Sequence, residues 1–191
     1  MLYDKIIRGN YINLRSVIPS DAAVTLSMRL DKEKTKYLHP VKNDINLQTE
    51  WIKKQNDRNG DYFFLAINKE NVEVGTFGID SIKGDVGHSG RLLMYGNAIE
   101  SMEVNILVFR FAFEFLKLSC IEGDVDSRNM SAIRLDKEFG FVFQEAIYDN
   151  ELNRMAHYCS LSKEDFYAKL EKINRLVYRN KSIPIMPWEI A

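Results

Sequence analysis

Residues 90–141 read GRLLMYGNAIESMEVNILVFRFAFEFLKLSCIEGDVDSRNMSAIRLDKEFGF, and this stretch decides the fold. It predicts an apolar strand, a polar turn over residues 95–101, a helix over about 102–118, a strand over 120–126 and a short helix over about 129–140. The long helix has a broad apolar face that can lie on a sheet, formed by Leu107, Phe111, Ala112, Phe115 and Leu116. These elements form a right-handed crossover unit. Because ligands of open α/β sheets bind at the carboxyl ends of strands, beside helix N-termini, the polar turn is the expected place for an anion.

The flanking sequence adds strands and capped helices around this unit. Residues 10–15 alternate as a half-buried strand, and residues 19–21 precede a helix over 22–30. Asp44 or Asn46 caps a second helix, whose apolar face carries Leu47, Trp51 and Ile52. Two hairpins follow, one from residues 61–67 and 71–80, the other from residues 141–149 and 154–161 around a turn at 150–153. Ser162 caps a last helix that ends near residue 178.

The composition favours one globular domain, and the small net charge creates no strong electrostatic field around it. The chain has 191 residues and a net charge of −1, which favours neither nucleic acid nor an anionic membrane as a partner. Cys120 and Cys159 are expected to be buried free thiols, and the three scattered histidines predict no metal site. The N-terminal residues do not resemble a signal peptide, and no apolar run approaches the ~20 residues that span a bilayer. We therefore expect a cytoplasmic protein that is not bound to a membrane.

The run from residue 111 to residue 141 resembles the GNAT superfamily of acetyl-CoA-dependent N-acyltransferases. That family has a phosphate-binding turn, a helix and a strand, followed by Asn-x-x-Ala/Ser-x-x-Leu and then Gly-Phe. The matching residues here are Asn129, Ala132, Leu135, Gly140 and Phe141. The resemblance covers about residues 8–161 and implies an α/β (α+β) fold of GNAT type. Such a fold has a mixed, mostly antiparallel central sheet with helices on both faces, here followed by a C-terminal helix and tail. It divides the chain into an acyltransferase domain at 1–161 and a packing element at 162–191.

The resemblance also implies a binding site for acetyl-CoA, or another CoA thioester, along the strand and the turn. The residues expected to bind it are Leu92, Leu93, Met94, Asn97, Ile99, Ser101, Met102, Glu103, Val104, Asn129, Ser131 and Arg134. One departure from the family is that the turn lacks paired glycines and carries Glu100 and Glu103. These carboxylates compete with an anionic ligand for the positive end of the helix, or else simply cap it.

His88 and Asn129 are the expected catalytic residues. His88 stands near the start of the strand where related enzymes often place a carboxylate that relays the proton of the amine, and its ordinary pKa is ~6.5. A structural histidine is the alternative. Asn129 caps a helix and, by resemblance, binds the pantetheine arm. A second departure is Asp136, which replaces a family tyrosine that protonates the leaving thiolate. Because an ionised aspartate is a poor proton donor, we expect water, Tyr148 or Tyr158 to supply that proton.

The amine acceptor is expected to bind among residues 29–51. Here Arg29, Tyr37, His39, Gln48 and Trp51 resemble the amino-sugar-nucleotide branch of the family. The expected substrate is therefore the primary amine of a nucleotide-linked amino sugar. Two alternatives stay open: the N-terminal amine of a protein, as in the ribosomal-protein branch, and a non-catalytic binding module. The apolar tail over 181–191 predicts packing on the domain or on a second copy in a homodimer.

Overall fold

The computed structural model describes residues 1–150 and 152–190, in which nine strands form one sheet flanked by five α-helices. The strands are β1 (Ile7–Arg8), β2 (Ile12–Ser16), β3 (Tyr62–Asn68), β4 (Glu73–Lys83), β5 (Val86–Met94), β6 (Cys120–Asp126), β7 (Val142–Phe143), β8 (Ile147–Asp149) and β9 (Arg154–Ser162). The helices are α1 (Ala22–Leu30), α2 (Ile45–Asp57), α3 (Ala98–Arg110), α4 (Met130–Phe139) and α5 (Lys163–Tyr178). None of these helices is long and apolar enough to cross a membrane.

The sheet runs in the order β1-β2-β3-β4-β5-β6-β9-β7, and β8 also pairs with β9. All neighbours are antiparallel except β5 and β6, which are parallel because α3 connects them across the sheet. Apolar residues cover both faces. One cluster joins Val17, Met28 and Ile52 to the strands under α1 and α2, and a larger one lies under α3 and α5. The expected mixed sheet with helices on both faces is confirmed.

Helix caps behave as the sequence predicts. The Asp44 carboxylate accepts hydrogen bonds from the backbone N–H groups of Asn46 and Leu47, so Asp44 rather than Asn46 begins α2. The Ser162 hydroxyl accepts a hydrogen bond from the Asp165 N–H at 3.0 Å and begins α5. Such caps satisfy N–H groups that have no partner inside the helix, and they are local enough to be read from sequence.

Three features differ from the expectation: two element boundaries and the exposure of one side chain. Helix α3 begins at Ala98 rather than near residue 102, because Asn97 caps it, and it passes into a π-helical turn over Phe111–Phe115. The strand expected over 141–149 is split into β7 and β8. Leu47 is exposed on α2 rather than packed with Trp51 and Ile52. Glu151, in the expected hairpin turn, and Ala191, in the tail, lie outside the described residues.

The C-terminal tail packs on this same chain. Met186 is fully buried, and the Trp188 ring contacts the rings of Tyr3, Phe111 and Phe115. The Arg110 guanidinium donates a hydrogen bond to Glu189 at 2.6 Å, which holds the tail against α3. Packing on the domain is therefore confirmed for this part of the tail, while Ile183, Ile185 and Ile190 stay exposed.

Candidate active site in the fork of the sheet

The two parallel strands part after three residues. Val86–His88 pair with Cys120–Glu122, and the pairing then stops. β5 continues along β4, and β6 continues along β9, so the sheet opens into a fork. A cavity of about 140 Å³ lies in the fork, and residues 89–92 of β5, residues 123–126 of β6, and Tyr37, Leu38, Asn129, Ala132 and Asp136 contribute to its walls. An extended ligand can enter here because strand edges are left unpaired.

A β-bulge at Arg91 shapes the wall between this cavity and its neighbours. Gly78 pairs with Gly90 and Thr76 with Leu93, so Arg91 and Leu92 face one residue of β4. Arg91 has a positive φ of 59°, and its guanidinium lies against Gly78, where an added Cβ would be 2.5 Å from the Arg91 Nε. Gly75 and Gly78 are therefore both close-approach glycines of β4: at Gly78 the approaching group is the Arg91 side chain, and at Gly75 it is the Met94 side chain and the Leu93 carbonyl.

Arg91 connects the fork cavity to the cavities beside α2. Its guanidinium binds Asp61 at 2.6 Å and Asp80 at 2.9 Å. It also lies 5.9 Å from the ring centre of Trp51 and 5.0 Å from that of Phe63, within the range of cation–π attraction. Arg91 lines the fork cavity and two further cavities beside α2.

Three of the residues expected to bind the acceptor come together beside Arg91. Arg29, Gln48 and Trp51 line one cavity with Phe63 and Arg91. The Arg29 Nη2 donates to the His39 carbonyl at 2.6 Å, while its buried Nε has no hydrogen-bond partner among the described residues. An adjoining cavity of about 510 Å³ is lined by Trp51, Arg58, Asn59, Asp61, Asp80, Ser81 and Arg91.

Tyr37 and His39 lie on the other side of the fork mouth. They line a separate hollow with Arg128 and Arg154, and the Tyr37 hydroxyl donates to the Arg128 carbonyl at 3.1 Å. Tyr37 also contributes to the fork cavity. The five residues expected to bind the acceptor therefore occupy two neighbouring hollows.

His88 is the last paired residue before the strands part, and it lies between two carboxylates. Its Nε2 is 3.3 Å from Asp124, which lines the fork cavity, and its Nδ1 is 3.6 Å from Asp80, which lines the adjoining cavity with Trp51 and Arg91. Asp124 and Asp80 raise the pKa of His88 to about 9, against the cost of its burial. The expectation of an ordinary pKa is wrong, and the imidazole is protonated at neutral pH.

The N-terminus of α3 is capped by its own side chains. Asn97 Oδ1 accepts hydrogen bonds from the N–H groups of Ile99 and Glu100, and Glu100 Oε2 accepts one from the Asn97 N–H at 2.7 Å. The same carboxylate occupies the space beside Gly96, where an added Cβ would be 2.4 Å from it. The negative charge of Glu100 thus lies where an anionic ligand would meet the positive end of the helix.

Four of the expected cofactor-binding residues have their side chains directed elsewhere. Glu103 is fully buried and accepts 2.7 Å hydrogen bonds from the N–H groups of Asn10, Tyr11 and Ile12. Val104 is fully buried in the larger core, Leu93 is buried under α1 and α2, and Met102 packs against the larger core. The expectation that Glu103 faces the ligand is wrong, because it binds the β1–β2 turn.

Removing the charge of Glu100 is expected to strengthen CoA binding. Glu100→Gln keeps an acceptor for the Asn97 N–H but removes the anion, so we expect CoA to bind ~3–10-fold tighter by titration calorimetry. Glu164→Gln, a change in the first turn of α5, is the matched control and should leave the affinity as it is. Equal or weaker binding by Glu100→Gln would show that Glu100 does not compete with the ligand.

Helix α4 presents one face to the fork. Asn129 begins the helix by accepting a hydrogen bond from the Ala132 N–H at 3.3 Å, and it lines the cavity with Ala132 and Asp136. Ser131 and Arg134 are exposed and are not among the residues that line it. Burial raises the pKa of Asp136 to about 7. Sequence reasoning treated Asp136 as ionised, whereas at this pKa about half of the Asp136 carboxyl groups carry a proton at pH 7.

The two cysteines are free, as expected. Cys159 is buried and lines the fork cavity, whereas Cys120 is half-buried at the start of β6. Burial and the neighbouring carboxylates of Asp136 and Asp124 raise the pKa of Cys159 to about 12, so it stays a neutral thiol. It is therefore not an activated nucleophile.

Sequence reasoning missed the ion pairs that surround the fork. Asp61, Asp80, Arg91, Asp124 and Arg154 form them, and none was singled out. One signal was present: Gly78, within a strand, indicated that another group approaches closely, but the sequence did not show that this group is Arg91.

A forked sheet with a bulged strand leading to a helix N-terminus defines a class of acyl-thioester-dependent transferases. The sequence profile of the acetyltransferase (GNAT) domain matches residues 12–142. The chain belongs to the GNAT acetyltransferase family. A search of curated proteins finds no match.

Solved structures share the fold. A GCN5-related N-acetyltransferase from Brucella melitensis is 16% identical with a TM-score of 0.77, covering 92% of this chain and 86% of that one. Apo FdhC, a nucleotide-linked sugar GNAT, is 19% identical with a TM-score of 0.72, covering 93% and 98%. Spermidine N-acetyltransferase from Vibrio cholerae, in complex with CoA and spermine, is 14% identical with a TM-score of 0.73, covering 82% and 98%. At these identities the likeness shows the fold.

Acetyl-CoA is the cofactor of this family, and the fork fits its pantetheine arm. The unpaired edge of β5 around Leu92, together with Asn129 on α4, offers hydrogen-bonding groups along a narrow, partly apolar cleft. The N-terminus of α3 fits a diphosphate once the Asn97 and Glu100 side chains release the N–H groups of Asn97, Ile99 and Glu100, which they bind in this structure. When bound, the cofactor supplies an activated acetyl group as a thioester.

Proposed function

We propose that the chain transfers an acetyl group from acetyl-CoA to the primary amine of a nucleotide-linked amino sugar. The observation that carries this proposal is the cavity formed by Arg29, Gln48, Trp51 and Arg91 beside the fork. It combines a flat aromatic ring with guanidinium and amide groups, which suits a pyrimidine ring and the oxygens of a diphosphate.

The charges of this region favour an anionic acceptor over a cationic one. The Nε atoms of Arg29 and Arg91 are buried without a partner among the described residues, so an oxygen of the ligand that reached either one would satisfy a buried donor. The carboxylates nearby, Asp61 and Asp80, already pair with Arg91. A polyamine needs unpaired carboxylates, and this cavity offers arginine donors instead.

The residues of the fork then have distinct roles in the proposal. Trp51 and Arg29 hold the acceptor so that its amine reaches the fork past Arg91. The interrupted ladder at the bulge makes a backbone N–H of β5 available to polarise the thioester carbonyl. His88, in its neutral form, accepts the proton of the amine at Nε2 or through Asp124, and Asn129 holds the pantetheine arm. Direct attack needs no enzyme nucleophile, because orientation lowers the barrier.

Other features stay predictions from the sequence. They are an acyltransferase domain at residues 1–161 with an added helix and tail at 162–191, a homodimer that uses the exposed apolar residues of the tail, and a cytoplasmic location. The residues that stay proposed for the cofactor, with the side-chain corrections given above, are Leu92, Leu93, Met94, Asn97, Ile99, Ser101, Met102, Glu103, Val104, Asn129, Ser131 and Arg134.

A substrate panel tests the proposal. Acetyl-CoA is incubated with UDP- and dTDP-linked amino sugars, a free amino sugar, spermidine and a peptide with a free N-terminal amine, and released CoA thiol is measured. We expect kcat/KM for one nucleotide-linked amine to exceed that of the free amino sugar by ~10²-fold, since charged hydrogen bonds to the diphosphate are lost in the latter. A preference for spermidine or the peptide would overturn the proposal.

A matched pair of variants locates the acceptor. Arg29→Gln is expected to raise KM for the nucleotide-linked amine ~10–10²-fold while the affinity for CoA stays the same, because a charge-assisted hydrogen bond is lost on the acceptor side alone. Arg175→Gln, a change at an exposed arginine of α5, should have no effect. An unchanged KM in Arg29→Gln would place the nucleotide elsewhere.

A further inference from the structure

Three phenylalanine rings form the wall of the fork cavity that faces the larger core. Phe77 lies on β4, Phe109 lies on α3 and Phe141 follows α4, and all three line the cavity. The three side chains are buried, with exposed fractions of 6% or less. The Phe109 ring centre is 5.7 Å from that of Phe77 and 5.7 Å from that of Phe141. Because rings at this separation are in contact, a chain that enters the cavity ends against them.

Small residues line the vertex of the fork. Ser89 on β5 and Gly123 on β6 are the first residues beyond the last pair of the two strands, and Cys159 on β9 pairs with Gly123. A Cβ added at Gly123 would lie 3.3 Å from the Ser89 Oγ and 3.5 Å from the Cys159 Sγ, and the nearest backbone atom is 3.9 Å away. These three residues therefore surround a space that a methyl group would fill.

This space and the aromatic wall lie on the same side of the sheet. Cys159 belongs to the same core cluster as the three phenylalanine rings. We call the space bounded by Ser89, Gly123, Cys159 and these rings the vertex chamber. It is closed at one end by aromatic carbon, and its sides at the vertex are a hydroxyl group, a backbone without a side chain and a neutral thiol. Such a chamber suits a short apolar group.

His88 lies on the opposite side of the sheet from the vertex chamber. It precedes Ser89, and successive side chains of a strand point to opposite faces. Gly123 and Asp124 alternate in the same way on β6. The ion pair of His88 and Asp124 therefore occupies one face of the vertex, and the vertex chamber occupies the other. A thioester carbonyl at the vertex has room for the amine and its base on one face and for an acyl chain on the other.

We propose that the vertex chamber holds the acyl chain of the thioester, that Gly123 sets the length of this chain, and that the enzyme transfers propionyl groups as well as acetyl groups. The missing side chain at Gly123 leaves room for one carbon beyond acetyl. The aromatic wall stops a long chain. The proposal needs an acyl-CoA in the fork but no particular amine.

Propionyl transfer makes and breaks the same bonds as acetyl transfer. The amine nitrogen bonds to the carbonyl carbon, the carbon–sulfur bond breaks, and the electron pair of that bond stays on sulfur. One proton of the amine leaves through His88 or solvent, and sulfur takes up a proton from solvent, so the products are an N-propionyl amide and CoA thiol. The extra methylene group takes no part in the chemistry. Selection by length therefore depends on the fit of the chamber, where one methylene group changes the discrimination by ~10–200-fold.

The first test measures binding without turnover. S-ethyl-, S-propyl- and S-hexyl-CoA are thioethers that match acetyl, propionyl and hexanoyl thioesters in length but transfer no acyl group. Their affinities are measured by titration calorimetry for the wild type, for Gly123→Ala and for a matched control, Ser160→Thr. The control adds a methyl group to a residue of β9 that is not among those that line the cavity.

The ratio of two affinities decides the first test. We expect the wild type and Ser160→Thr to bind S-propyl-CoA at least as tightly as S-ethyl-CoA, and to bind S-hexyl-CoA more weakly. Gly123→Ala should bind S-propyl-CoA ~10-fold more weakly than S-ethyl-CoA, because its methyl group fills the space at the vertex. The same ratio of S-propyl to S-ethyl affinity in Gly123→Ala as in the wild type would overturn the proposal.

A second variant changes the chamber in the opposite direction. Cys159→Ala removes the Sγ beside Gly123 and enlarges the chamber, so we expect it to bind S-butyl-CoA ~10-fold more tightly than the wild type does. Cys120→Ala, at the half-buried cysteine that begins β6, is its control and should bind as the wild type. Urea unfolding shows whether each variant is folded, and if Gly123→Ala is not, Cys159→Ala decides. Unchanged S-butyl-CoA affinity in folded Cys159→Ala would contradict the proposal.

Reaction rates give an independent measurement. With any amine that the enzyme accepts, kcat/KM for propionyl-CoA should lie within ~10-fold of that for acetyl-CoA in the wild type, and this ratio should fall ~10–10²-fold in Gly123→Ala. A wild type that uses acetyl-CoA alone would exclude the proposal. If the substrate panel yields no amine, the proposed acceptor is wrong, and the binding of the thioethers still decides where the acyl chain lies.

Discussion

Replacing His88 by glutamine is expected to lower kcat/KM by ~10²–10⁴-fold, the range that a positioned general base contributes. The reason is its place at the vertex of the fork, between Asp124, which lines the fork cavity, and Asp80, which lines the adjoining cavity. Because these two carboxylates raise its pKa to about 9, only about one molecule in a hundred has a neutral imidazole at pH 7. The part of the rate that depends on His88 should therefore rise with pH and level off near 9, and the His88→Gln variant should lack that rise.

A second variant distinguishes a catalytic role of His88 from a structural one. Asp124 makes the largest contribution to the raised pKa of His88, so Asp124→Asn should move the pH at which the rate levels off to a lower value. His157→Gln, at a histidine of β9 that faces the Gln144 carbonyl, is the matched control and should keep the wild-type profile. If His88→Gln keeps both the rate and the rise near pH 9, His88 is a structural residue.

The same ion pairs make stability depend on pH. A histidine whose pKa is raised in the folded state stabilises the fold most below its unfolded pKa, ~6.5, and loses this contribution as the pH rises towards about 9. Urea unfolding of the wild type should therefore show a falling midpoint over this interval, and His88→Gln should not. Rate and stability thus report the same titration independently.

Local signals in the sequence predicted most of the fold. The periodicity of residues 102–118, the caps at Asp44, Asn129 and Ser162 and the two hairpins depend on residues within a few positions of one another. The site was less predictable because its contacts are distant in sequence. Arg91 reaches Asp61 thirty residues back, and His88 reaches Asp124 thirty-six residues on. No local rule selects those partners, so the pKa of His88 could not be anticipated.

Glu103 shows why the position of a residue in a sequence motif does not by itself establish that its side chain faces the ligand. The sequence places it in the first turns of the helix after the phosphate turn, where a carboxylate and an anionic ligand compete. In the fold its side chain points away from that end, into the turn between β1 and β2, where it is fully buried. Its carboxylate there satisfies three backbone N–H groups that are ninety-one to ninety-three residues away.

Replacing Glu103 by glutamine is therefore expected to destabilise the fold rather than improve ligand binding. One carboxylate oxygen accepts from Asn10, and the other accepts from Tyr11 and Ile12. A glutamine side chain has one acceptor oxygen, and its NH2 group would face N–H donors, which leaves buried donors unsatisfied. We expect a loss of about 3 kcal/mol in the free energy of unfolding, and a fall in Tm of roughly 6–12 °C for a chain of this size.

Urea unfolding of Glu103→Gln and Glu100→Gln, measured side by side, shows which carboxylate stabilises the fold and which competes with the ligand. Both residues lie near the start of α3, but the Glu100 carboxylate is partly exposed and accepts from a single N–H, so its replacement should cost much less stability. The two variants should also differ in CoA affinity: Glu100→Gln should bind CoA more tightly, and folded Glu103→Gln should not. A stable Glu103→Gln with stronger CoA binding would mean that the Glu103 side chain turns towards the ligand, and that the β1–β2 turn is held by other contacts.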